Sequence, residues 1–127
     1  MPENPQFDDA PDGGIPGSPG PDDIRDLADV PAVEVVTRAI VMMMSAAAEK
    51  LGLADDPTAA ARVDLDEARR LITALAGLVT AALPDLGLHA APIRDGLKGL
   101  QLAFREASSV PDEPGQGPGE KYTGPVR

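Results

Sequence analysis

Few side chains in this sequence could do chemistry, and their spacing sets the first limits. There is no cysteine, which excludes disulfides, zinc–thiolate sites and cysteine nucleophiles. His89 is the single histidine, and it has neither a Cys nor a second His to complete a nucleophile–base pair or a metal set. It reads as a loop or cap histidine. Asp55 and Asp56 are adjacent carboxylates, but a hard cation wants about six or more oxygens in an organised loop, and the EF-hand Gly and closing Glu are missing. Asp64, Asp66 and Glu67 have the spacing of helix-capping groups. The glycines of Asp12-Gly13-Gly14-Ile15-Pro16-Gly17 are interrupted by proline and follow no strand, so they cradle no phosphate. The expectation is a protein that is not an enzyme: no catalytic residue, no cofactor or cofactor-binding residue, no metal site and no small-molecule substrate.

The elements that carry these residues read as helices. Pro31 suits a first helical turn, where its missing N–H leaves no bond unmade. Val33, Val36, Ile40, Met44, Ala47 and Leu51 then recur at helical spacing, with Glu34 and Arg38 as an i,i+4 pair. Lys50, Gly52 and Leu53 form the stop. The acidic loop 52–63 leads to a second helix opening at Asp64, with Glu67 at capping-box distance and Asp66 placed to pair with Arg70. Its buried stripe is Leu65, Ala68, Ile72, Leu75, Val79 and Ala82, and Pro84 closes it. A third helix runs from about Pro92 to Ala107. Ile93, Leu97, Leu100 and Phe104 lie on one side of it, and Arg94, Lys98, Gln101 and Arg105 on another. Gly96 and Gly99, and the strip Thr73, Gly77 and Ala81 on the second helix, are intelligible where a neighbouring helix comes close. A short further helix at Ile24–Ala28 has only a weak pattern.

Composition supplies the organisation. Pro and Gly are heaped at both ends, in 1–23 and 110–127, and neither stretch has an apolar pattern able to offset the entropy of ordering. Both are expected to be disordered tails around a helical domain at 24–109. The C-terminal stretch holds the sole tyrosine, Tyr122; a solvated tail is the simpler reading and a short linear motif the other. The fold class that follows is all-α, a small three-helix bundle. The formal charge is −10, and Glu3, Asp8, Asp9, Asp12, Asp22 and Asp23 stand in the first 23 residues with no base among them. No basic patch is available to neutralise phosphates, so direct nucleic-acid binding is not expected. No basic-then-apolar leader opens the sequence. The uncharged apolar run Ala39 to Ala48 falls short of the roughly 20 residues a bilayer span needs. No membrane association and a cytoplasmic location are expected.

One pattern is left over. The first helix carries a second apolar stripe, Val35, Ala39, Met42 and Ala46, bordered by Glu34, Arg38, Ser45 and Glu49. Two neighbours in a three-helix unit cannot cover a helix that is apolar on two sides. The stripe therefore points to a homodimer or another protein partner, with cover by Ile24–Ala28 as the alternative. Met42-Met43-Met44 can serve both core and contact, because Met repacks easily.

The run Met42-Met43-Met44-Ser45, the stop Leu51-Gly52-Leu53, Asp56-Pro57, and Val63-Asp64-Leu65 followed by Ala68 carry a resemblance. Residues 31–107 resemble a bacterial family known as domain of unknown function 1844. The third helix matches in place, although the family's usual acidic run before it is replaced by Leu86-Gly87-Leu88-His89. The resemblance implies a short helical protein with no known activity, cofactor or site. In high-GC Gram-positive bacteria such proteins are associated with genes near that of translation initiation factor three, so a translation-associated accessory factor is the second functional expectation. An unrecognised small enzyme is the third.

Overall fold

The computed structural model describes residues 27–127. The expected acidic arm, residues 1–23, lies outside the described residues. Contacts divide the chain into Met1–Pro31 and Ala32–Arg127. In the first unit, Leu27–Asp29 form a 3-10 turn, with the Val30 N–H donating to the Leu27 carbonyl at 3.2 Å. Of the short helix expected at Ile24–Ala28, Leu27 and Ala28 belong to this turn and the rest lies outside the described residues.

The second unit is a three-helix bundle. Helix α1 spans Ala32–Lys50, α2 spans Leu65–Ala82 and α3 spans Ala90–Ala107. No strand occurs among the described residues, nor a helix long and apolar enough to cross a membrane. Helix α1 stops where a glycine permits it. Gly52 takes a positive φ of 74°, and the Leu53 N–H reaches back to the Ala48 carbonyl at 3.0 Å. A side chain at Gly52 would also meet Val63 at 2.7 Å. Asp64 then caps α2, accepting from the Glu67 N–H. The capping box is not reciprocal. The Asp64 N–H donates instead to the Lys50 carbonyl at 2.8 Å, and Arg70 pairs with Glu67 rather than with the expected Asp66.

Helix α2 is shared by both neighbours and packs on α1 and on α3. Its Ile72 and Leu75 are fully buried, as is Ile40 of α1, each worth about 1.5–3 kcal/mol of transfer free energy. Val79, Leu97, Leu100 and Phe104 complete the core. Three residues of the expected α1 core stripe are not fully buried, Val36 among them as half-buried. Val33 is 38% exposed, and Met44 is half-buried at the edge of the core.

The main correction concerns residues 110–127. They were expected to be a disordered tail, and instead they pack across α2 and α3. A one-turn helix, α4 (Glu120–Thr123), lies against α2. Arg69 holds the start of the segment through Asp112 at 3.0 Å, with its guanidinium over the Phe104 ring at 4.9 Å. Gly119, at φ 76°, donates its N–H to Thr73 Oγ1 at 3.2 Å. Gln101 Nε2 donates to the Pro118 carbonyl and to Thr123 Oγ1, both at 3.1 Å. The buried Glu120 carboxylate accepts from the Gly115 N–H at 2.7 Å, and Val126 is buried. Backbone and glycine contacts, not an apolar stripe, offset the entropy of ordering.

The small-residue strip on α2 finds its neighbour in this segment, at the one-turn helix α4. A Cβ on Gly77 would stand 3.2 Å from the Tyr122 ring, while Ala81 is exposed. Gln101, read as part of a polar face, is buried beneath the same segment.

Candidate interaction surface

The four residues of the second apolar stripe share one flank of α1. At 100° per residue they centre about 130° around the helix from Ile40, Ala47 and Leu51. Met42 is 56% exposed and Val35 39%, while Ala39 and Ala46 are half-buried. The helix, 19 residues long, is long enough to hold all four. Arg38 donates to Glu34 at 2.7 Å one turn away, and the Thr37 hydroxyl donates to the Val33 carbonyl at 2.7 Å. Bulk alternates with small side chains along the flank, in the order Val35, Ala39, Met42, Ala46.

A second apolar surface lies on the other side of α1. There α1 and α3 diverge around an open groove of 480 Å³. Met44, Ala48, Leu53, Gly96 and Leu100 line it with Gly99. Of the two α3 glycines, only Gly96 has a close neighbour: an added Cβ would meet the Met44 methyl, the movable end of a flexible side chain. A Cβ on Gly99 would meet nothing within 4 Å, so the expected helix contact is absent at that position. Leu53, placed beyond the helix stop, is 54% exposed on the rim.

The polar residues singled out in the sequence are placed as follows. His89 precedes α3, is exposed, and makes no side-chain capping bond. Asp55 is exposed. Asp56 organises the loop after α1. It accepts from the Thr58 N–H at 2.8 Å and pairs with Arg62 at 2.8 Å, and Arg62 also reaches Glu49 on α1 at 3.1 Å. The Arg62 and Thr58 donors hold the Asp56 carboxyl well below the ordinary carboxylate range. Among the described residues no group of three or more His, Asp or Glu side chains is placed to share a metal ion.

Sequence reasoning missed two features that the folded C-terminal segment creates. One is the buried Gln101, whose Oε1 has no partner among the described residues. The other is a pocket between α2, α3 and that segment, whose walls come from three separate parts of the chain. The only sequence signal for either was the Gly119-Glu120-Lys121-Tyr122-Thr123-Gly124 stretch, whose aromatic ring and flanking glycines suit a docked turn.

No curated protein and no solved structure matches this chain. The family described as a domain of unknown function, DUF1844, matches residues 32–106. That span holds α1, α2 and nearly all of α3, with both apolar surfaces of α1, and leaves out the C-terminal segment. The match covers more than half of the chain and takes in the whole three-helix frame except its last residue, and the protein belongs to this family.

Proposed function

We propose that this protein is a non-enzymatic helical interaction module that pairs with a second copy of itself through Val35, Ala39, Met42 and Ala46 of α1. The observation that carries this reading is the order of large and small side chains along an exposed flank. When two such helices run antiparallel about a two-fold axis, Val35 faces Ala46 of the other copy and Ala39 faces Met42. Each large side chain meets a small one, so a single patch is its own complement. The stripe spans about 16 Å of helix at 1.5 Å per residue. The core on the far sector is supplied by α2 and α3, which leaves the flank, among the described residues, for contact between molecules.

Light scattering and circular dichroism on two variants test this. The wild type is expected to be a dimer. Met42→Glu should give a helical monomer, whereas Ile40→Glu, at a fully buried position, should unfold the chain. A wild type that stays monomeric at high concentration overturns the reading. Co-sedimentation of the monomeric variant with ribosomes would instead favour a translation-associated accessory factor.

A further inference from the structure

Between the C-terminal half of α2, the N-terminal half of α3 and the packed C-terminal segment lies a pocket of 650 Å³. That is within the range of about 300–1,000 Å³ that small-molecule sites occupy. Its lining is mixed: Val79, Leu83, Leu97 and Val126 stand beside the hydroxyl-bearing Thr80 and Tyr122. Its rim carries the side chains of Arg94 and Lys98 beside one side-chain acid, Asp95. In a chain of net charge −10 this is a local excess of positive charge.

The inner polar groups are engaged apart from Gln101 Oε1, which has no partner among the described residues. Gln101 Nε2 is taken up by Pro118 and Thr123, and the Thr123 hydroxyl donates to the Gly124 carbonyl at 2.9 Å. Among the described residues neither Arg94 nor Lys98 lies within ion-pair distance of a carboxylate. They stand one turn apart on α3, so both can reach one head group.

We propose that this pocket binds a small organic anion, with an apolar body seated on Val79, Leu83, Leu97 and Val126 and a carboxylate or phosphate head held by Arg94 and Lys98. The site is separate from the α1 flank, so it stands whether or not two copies pair. It exists only because residues 122–127 supply one wall.

The test is amide nitrogen-15 NMR of the full chain, titrated below micelle-forming concentrations with decanoate, decyl phosphate and decanol. Decanoate or decyl phosphate should give saturable shifts around Leu97, Lys98 and Thr123, and the tighter of the two identifies the head. Decanol, which has the same apolar body and no charge, should bind about tenfold more weakly, as expected for the loss of two exposed charge contacts. Arg94→Glu/Lys98→Glu should weaken both anions by at least that factor and leave decanol unchanged. Both positions are exposed, so the fold should persist; circular dichroism checks it, and Arg94→Gln/Lys98→Gln replaces the pair if it does not. The proposal fails if decanol binds as tightly as the anions, if the shifts map to the Met44–Gly99 groove, if no titration saturates, or if the charge variants bind like the wild type.

Discussion

Single carboxylates divide the acidic stretch between α1 and α2 into working and idle groups. Asp64 accepts from the Glu67 N–H at 3.2 Å, satisfying one of the donors that a helix start leaves open. Asp64→Ala should lower stability by about 1 kcal/mol in urea denaturation, the usual loss for a missing cap. Asp55→Ala, at an exposed position in the same stretch, should be nearly silent. Equal effects would misplace the start of α2. Asp56 has a pH signature. Its carboxyl is depressed by the Arg62 and Thr58 donors in the folded chain, and returns to about 3.9 when unfolded. A depressed folded value means stability that is fully present above the unfolded value and is lost as the pH falls through the folded one. The urea midpoint of the wild type should therefore exceed that of Asp56→Asn at neutral pH, and the gap should shrink below about pH 4. A gap that does not change with pH would show that the ion pair plays no part. The Asp64 cap was legible in the sequence. The Arg62 link to Asp56 and Glu49 was not, because it spans 13 residues and depends on how the loop turns.

Helix boundaries were legible because they rest on local chemistry. Pro31 just precedes α1, Gly52 ends it, Asp64 opens α2, and Pro84 stands in the turn just after Ala82. The C-terminal segment was not legible, because it docks through backbone groups and glycine, which leave no apolar periodicity to read. Gly119 is the point where that docking is most constrained. Its φ is 76°, and an added Cβ would stand 2.7 Å from the Ala76 Cβ. Gly119→Ala should lower the melting free energy by about 2 kcal/mol, combining left-handed backbone strain with overpacking. Gly99→Ala, in open space on α3, should raise it by up to about 1 kcal/mol through helix propensity alone. Thermal melts of the two variants should move in opposite directions. A neutral Gly119→Ala would mean that the segment does not rest on α2 in the stated way.

Across the whole molecule, the α1 flank was readable because four positions at i, i+4, i+7 and i+11 declare a face even before the neighbours are known. The groove and the pocket were not readable, since each joins residues from distant parts of the chain. The proposed self-pairing would bring together two chains that each carry −10. Their mutual repulsion opposes association, and added salt screens it within about 10 Å at 0.1 M. The dimer should therefore tighten as salt rises, measured by sedimentation equilibrium; a contact held by ion pairs would loosen. The sole tyrosine, in a chain without tryptophan, sits against Gly77 in the C-terminal segment. Near-ultraviolet absorbance and emission are consequently dominated by one ring on one element, while far-ultraviolet dichroism is dominated by the three long helices. The molecule thus carries two natural optical channels for two different parts of itself, and comparing their unfolding curves separates undocking of the segment from melting of the bundle without any added label.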